Sequence, residues 1–241
     1  MMPIDAEVAH DLAPTGVLRA SINLGNPVLA QGTLDEPSGV TVELAREVAA
    51  RLALPVQFMC FDAARKSYAA MAEGRADLCF LAVDPDREKE VAFSTPYVHI
   101  EGVYAAPVNS AFVSADDVDR DGVRIGVKEG SAYDLYLSRT LRHATVVRGG
   151  EGVDVFHAEG LDVAAGIRQP LTAHVAQRAE LRLLEPAFMT IRQAVGTTKA
   201  RRPKTTQFLS EVVTELVASG FVAEALRHSG QDPTLTAPTA V

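Results

Sequence analysis

Tryptophan is absent from this chain of 241 residues, and aromatic residues make up only 6% of it. A surface that stacks nucleic-acid bases needs exposed rings, so that partner class finds little here. Basic runs are scarce too. The densest is Arg201-Arg202-Pro203-Lys204, and the formal net charge of −8 opposes binding to nucleic acid or an anionic membrane. No stretch approaches the ~20 apolar residues of a membrane span, so membrane insertion is not expected. Residues 1–16 carry Asp5, Glu7 and Asp11 and lack both a basic start and an apolar run. They do not read as a secretory signal. Either the chain is cytoplasmic or a signal has been removed.

Groups for metal or nucleophilic chemistry are equally thin. The 6 histidines (His10, His99, His143, His157, His174, His228) are scattered without close ligand spacing. His157-Ala158-Glu159 reads as surface, because residues two apart on a helix point to different faces. Cys60 and Cys79 form no zinc pattern. They fall in segments that read as parallel strands of one sheet, where a thiol acts as a small apolar group; a disulfide is allowed but not required. No Gly-x-Ser-x-Gly elbow and no phosphate-binding glycine loop occurs. Neither a metal nor a cofactor is expected.

What is present is a globular composition, 47% hydrophobic and 22% charged. Strand-like runs alternate with helical periods, which argues a mainly parallel α/β arrangement. Strands are predicted near Val17–Asn23, Val56–Phe61, Asp77–Val83 and Gly102–Pro107. Val40, Leu44, Val48 and Leu52 give one helical stripe, and a shorter helix is predicted over Lys66–Glu73. After a connector at Pro107-Val108-Asn109-Ser110 a second alternation begins. Its strands lie near Val123–Val127, Thr145–Arg148, Leu161–Ala165 and Leu181–Leu184, and its helices start near Ser131, Glu151 and Pro170. Phe208, Leu209, Val212, Val213, Leu216 and Val217 mark a late core-facing helix. The Pro- and Thr-rich tail from Gly230 is expected to be mobile.

The most informative stretch runs from Asp77 to Tyr97. An apolar strand, Leu78 to Val83, breaks at Asp84-Pro85 into a charged loop carrying Arg87, then returns through Val91-Ala92-Phe93 to Ser94-Thr95-Pro96-Tyr97. Open α/β sheets bind ligands just outside the carboxyl edge of their strands, and arginine suits a carboxylate through two parallel hydrogen bonds. The segment resembles the signature of the bacterial periplasmic solute-binding proteins of family 3, the polar amino-acid branch that serves ABC transporters. Other pieces follow in that family's order. They are Gly16-Val17-Leu18-Arg19-Ala20, Pro27, Ser38 to Ala45, Ala72-Glu73-Gly74-Arg75-Ala76-Asp77, Val127-Lys128-Glu129-Gly130-Ser131 and Ala218-Ser219-Gly220.

This resemblance implies a type 2 periplasmic-binding fold: an α/β protein of two lobes, each a mostly parallel sheet flanked by helices, joined by a two-strand hinge near Ala106 and Arg192. Lobe 1 would comprise 13–107 plus 194–230 and lobe 2 would be 108–193, with 231–241 as a tail. The expected function is a monomeric, non-enzymatic solute-binding protein that closes on a small anionic ligand and presents it to an ABC permease. The compartment it implies is the periplasm. Arg87 becomes the carboxylate clamp, and Ser131 opens a helix whose free amides favour an anion. Ser131 also reads as a plain N-cap, and both roles can hold. Lys128 resembles a lobe-bridging position and reads equally as a solvated strand-end lysine. Asn23 and Asn26 lie in the first ligand loop, or serve turns; Phe61 stacks on the ligand, or is core. Ala82, Tyr133, Gln169 and Glu101 complete the expected set.

The chain departs from its family where an acidic residue usually pairs with the ligand's ammonium. Here Ile167, Arg168 and Gln169 follow the strand. A buried unpaired ammonium costs several kcal/mol, and Arg168 beside Arg87 would favour two anionic groups. A di- or tricarboxylate is therefore expected ahead of a plain amino acid. Two alternatives stand beside this reading. One is a cyclohexadienyl-dehydratase-like lyase, with Glu101 or Glu159 as general acid. The other is a cytoplasmic metabolite-sensing module.

Overall fold

The computed structural model describes residues 5–239, which divide into two compact units, 5–99 with 192–239 and 100–191. Unit 1 opens with helix α1 (Ala6–Leu12), capped by the Asp5 carboxylate, which accepts from the amides of Glu7 and Val8. Strand β1 (Leu18–Asn23) follows, then a hairpin of β2 (Gln31–Gly32) and β3 (Pro37–Ser38), helix α2 (Val40–Arg51) and strand β4 (Val56–Phe61). Helix α3 (Ala64–Ala72) leads to β5 (Leu78–Ala82), every residue of which is buried.

Strand β6 (Val91–Pro107) carries the chain from one unit into the other. Unit 2 continues through β7 (Arg124–Lys128), α4 (Ala132–Thr140), β8 (Thr145–Gly149), α5 (Gly152–Glu159), β9 (Val163–Ile167) and α6 (Arg168–Ala176). Strand β10 (Leu181–Thr198) returns to unit 1, which closes with α7 (Pro203–Ala218) and α8 (Phe221–His228).

In unit 1 the strands run β4-β1-β5-β10, with β4 and β5 parallel to β1 and β10 antiparallel to β5. Parallel strands covered on both faces read as continuous apolar runs, which is why β5 was legible. Beneath α3 a core forms from Ala70, Met71, Cys79, Leu81 and Val91, with Met59, Phe61, Tyr68 and Phe93 packed on it. The apolar stripe of α2 buries Val40, Leu44 and Val48, and α7 buries Leu209, Val212, Val213 and Leu216. In unit 2 the order is β6-β9-β7-β8, with β7 parallel to both neighbours and β6 antiparallel to β9. Its core gathers Val155, Phe156, Leu161, Ala164 and Leu181 under α5. Phe188 of β10 stacks on Tyr104 of β6 at 4.3 Å between ring centroids.

The predicted elements recur with shifted ends. Strands expected over Gly102–Pro107 and Leu181–Leu184 are the ends of two much longer strands, β6 and β10. Polar residues such as Ser94, Thr95, His99 and Glu101 break the alternation of β6, so its first half is silent to a periodicity argument. Helix α1 was not anticipated; Asp11 anchors it by accepting from the Thr205 hydroxyl at 2.5 Å and the Arg202 amide at 3.0 Å. The tail expected to be mobile is docked instead at residues 236–237, while its last two residues, 240–241, lie outside the described ones. Thr236 bridges Val98, the Ala237 amide donates to the Tyr97 carbonyl at 2.9 Å, and Ala237 is buried. Pro and Thr content marked it as loose, but two ladder contacts to β6 hold it. Both cysteines are free, and β1 lies between their strands.

Candidate functional site

In each unit the expected binding residues gather where parallel strands end. In unit 1 these ends are Asn23, Phe61 and Ala82 on β1, β4 and β5. Asn23 accepts the Gly25 amide at 3.1 Å and Asn26 accepts the Val28 amide at 3.2 Å, so both asparagines shape the loop as Asx turns. Phe61 is half-buried on the core cluster under α3, and the Arg75 guanidinium lies 5.9 Å from its ring centroid. The core reading of Phe61 is thus the one its contacts support.

Arg87 stands at the first position of a short 3₁₀ turn, Arg87–Lys89, following β5. It is only 3% exposed, and its Nη1 donates to the Ala82 carbonyl at 3.1 Å. Beside it Asp84, also buried, accepts the Asp86 amide at 2.9 Å and sets the turn. A guanidinium presents five donors in a planar fork. The bond to the Ala82 carbonyl orients that fork at the strand end. The thiol of Cys79, buried on the same strand, is pushed up to about 12 by desolvation, which the Arg87 charge only partly opposes. That thiol is a packing group and not a nucleophile.

The unit 2 edge is built differently. β7 ends at Lys128, and Gly130 takes the left-handed conformation (φ +68°) that lets the chain turn into α4. Ser131 is the N-cap; its hydroxyl accepts the Asp134 amide at 3.1 Å. Asp134, 2% exposed, accepts the Gly130 amide at 2.8 Å and the Ser138 hydroxyl at 3.1 Å, and its salt bridge to Arg148 measures 3.0 Å. The start of α4 therefore already carries a carboxylate of its own, at the positive end of the helix dipole. Lys128 is ion-paired with Glu151, the N-cap of α5. Tyr133 is buried, and desolvation is the first cause raising its phenol pKa.

Arg168 differs most from expectation. β9 runs into α6 without a loop, and Arg168 is the first helical residue. Its Nε donates to Glu101 of β6, while Nη1 and Nη2 grip Glu185 of β10 at 2.5 and 2.9 Å. Hydrogen bonding to Glu185 is the largest cause raising the Arg168 pKa, and the same bond holds Glu185 below the ordinary carboxylate value. The second positive site expected opposite the ligand is thus matched by two carboxylates of its own unit. Next to it Gln169 holds a side-chain oxygen that is buried without a hydrogen-bond partner among the described residues. Glu185 and Arg148 were not foreseen; their partners are 17 and 14 residues away, and no local pattern signals them.

The remaining candidates are placed as follows. Glu159 pairs with Arg124 at 2.6 Å; beside the candidate Ala82, Gln193 of β10 is buried as its strand partner. The histidines are not all scattered: His157 and His174 meet at 3.2 Å. Among the described residues no group of three or more His, Cys, Asp or Glu could hold a metal, and no helix is long and apolar enough to cross a membrane.

A profile of the bacterial extracellular solute-binding proteins, family 3, matches residues 25–229. No curated protein sequence matches the chain. Among solved structures, a mutant of ArgBP from T. maritima is similar at a TM-score of 0.74, with 19% identity over 92% of this chain and 99% of that one. AbpA from Streptococcus pneumoniae, an amino acid ABC transporter substrate-binding protein bound to L-arginine, gives 0.72, 17%, 90% and 96%. An ancestral amino acid-binding protein, a precursor of cyclohexadienyl dehydratase, gives 0.73, 16%, 92% and 99%. At these identities the likeness is one of fold.

Proposed function

This chain belongs to the bacterial extracellular solute-binding proteins, family 3, and on that premise we propose that it captures a small carboxylate-bearing solute through Arg87 and delivers it to an ABC permease. The observation that carries the reading is Arg87 itself. Its guanidinium sits at the carboxyl end of β5, oriented by the Ala82 carbonyl at 3.1 Å and withdrawn from bulk water. In such surroundings a charge-assisted bond is shorter and roughly twice as strong as a neutral one.

The ligand class shifts from the expectation. A di- or tricarboxylate was favoured because Arg168 would meet a second anionic group. With Glu101 and Glu185 on that guanidinium, a second anion gains no free charge there, and an amino acid or monocarboxylate fits as well. The acids around Arg168 outnumber it by one, so that corner offers no net positive charge to an anion. The names of similar structures include arginine-bound and glutamine-bound proteins. Family membership also supports a periplasmic setting.

The lyase alternative has less support. Its candidate acids, Glu101 and Glu159, are both engaged in ion pairs, with Arg168 and Arg124. A thermal-shift screen of the common amino acids against mono-, di- and tricarboxylates, followed by calorimetry, tests the proposal, because a ligand bound only by the native state raises Tm. Tight binding of an uncharged sugar with no response to any carboxylate would overturn it.

A further inference from the structure

Outside the binding edges, one pair of side chains stands in an arrangement that the solute-binding reading does not use. His157 lies in the last turn of α5 and His174 in the last turn of α6, 17 residues further on. Their Nε2 atoms are 3.2 Å apart, their ring centroids 5.4 Å apart, and the ring planes are tilted by 39°. His157 is exposed and His174 half-buried. The edge of the Phe156–His157 contact, with centroids 4.9 Å apart, fixes one ring from behind.

Two imidazole nitrogens at this distance need one proton between them, so at least one ring is neutral and carries a lone pair. The same spacing is what a transition-metal ion imposes. With metal–nitrogen bonds of about 2.0–2.1 Å, a tetrahedral ion sets its ligands about 3.3 Å apart, and a square-planar one about 2.9 Å. The observed separation lies between those values. Small rotations of the tilted rings would turn both lone pairs to one point on the solvent side.

We propose that His157 and His174 form a bidentate surface site for a divalent transition-metal ion, clasping the C-terminal turns of α5 and α6. No third His, Cys, Asp or Glu joins them among the described residues, so water fills the other positions. Two neutral nitrogens and water select by the general order of divalent affinities: copper(II) binds more tightly than nickel(II) or zinc(II), and calcium and magnesium, which want oxygen ligands, are ignored. Binding displaces the shared proton to solvent or to the other ring nitrogen, so each Nε2 offers its lone pair. Because the ion ties two helices of unit 2, it raises the Tm of that unit.

The test uses the untagged full chain with copper(II), nickel(II), zinc(II) and magnesium chlorides in calorimetry and thermal unfolding. The variants are His157→Gln, His174→Gln and, as control, His143→Gln, which is an exposed histidine paired with Asp121. Loss of an outer-shell partner alone typically costs 10–100-fold in metal affinity, so losing one of two direct ligands should cost at least about tenfold. The expected result is one copper(II) per chain, a metal-dependent rise in Tm, and loss of both in either site variant but not in the control. Copper(II) also broadens the ring-proton signals of both histidines in the native protein. Equal affinity in all variants, no binding by the native chain, or broadening confined to other histidines would overturn the assignment.

Discussion

Glu101 on β6 accepts a hydrogen bond from the Nε of Arg168, the first residue of α6. With Glu185 on the other edge of the guanidinium, the pairing leaves the corner with more negative than positive charge. That one relationship turns a residue that reads as a second anion grip into a filled ion-pair network.

The first prediction concerns releasing that network. In a Glu101→Gln/Glu185→Gln double variant, Arg168 regains donors for a ligand anion. Succinate or malate should bind at least about tenfold more tightly than to the native protein, the scale of a charge-assisted hydrogen bond of ~1.5–3 kcal/mol. Calorimetry with both proteins decides it. No gain would show that Arg168 does not meet the solute.

Arg87 carries the opposite expectation. Arg87→Ala should weaken any carboxylate ligand by about 1.5–3 kcal/mol, and Arg87→Lys should recover only part of this, because an ammonium lacks the bidentate fork. The guanidinium is also buried and bonded to Ala82, so circular dichroism must show both variants folded. Undiminished affinity in a folded Arg87→Ala protein would remove the residue from the site.

Asp77 illustrates structure maintained without a binding role. Its carboxylate is fully buried and accepts from Arg19 Nε at 2.9 Å, Arg19 Nη2 at 2.7 Å, the Arg19 amide at 3.0 Å and Arg201 Nη2 at 3.1 Å. Asp77→Ala leaves those donors without their acceptor, and breaking a buried pair in this way costs about 3–5 kcal/mol. Urea unfolding should show a loss of that order, while affinity per folded molecule stays constant. A loss below about 1 kcal/mol would mean the pair contributes little.

Acid stability should report on Asp119. Burial pushes its carboxyl pKa up, but the amides of Ala144, His143 and Arg142 and the nearby His143 outweigh that, and the net shift is downward from 3.8. A depressed carboxyl stabilises the fold fully above its unfolded value, and the contribution disappears as pH falls through the lower folded value. The Tm gap between the native protein and Asp119→Ala should therefore be steady near neutrality and narrow only below about pH 4. A gap that stays flat down to pH 2 would contradict the assignment.

Much of the framework was readable from the chain alone. β4 is predicted at its observed bounds, β1, β5 and α2 within a residue at each end, and α7 by its apolar stripe, because elements buried on one or both faces must repeat their apolar residues at the strand or helix period. The ordered motifs around Arg87 and Ser131 carry the likeness to the family in the sequence itself. What failed to show was pairing across distance: Glu185 with Arg168, Asp134 with Arg148, His157 with His174. A charged side chain looks the same in sequence whether water or a carboxylate faces it.

Burial preference is a property of each residue in its local order, so periodicity alone dictates strands, helices and their α/β alternation. Which charges cancel depends on chain segments that only folding brings within 3 Å or so of each other. Here that step decided that Arg168 is a matched ion and that Ser131 caps a helix already carrying Asp134. It also brought the Nε2 atoms of two histidines 17 residues apart together.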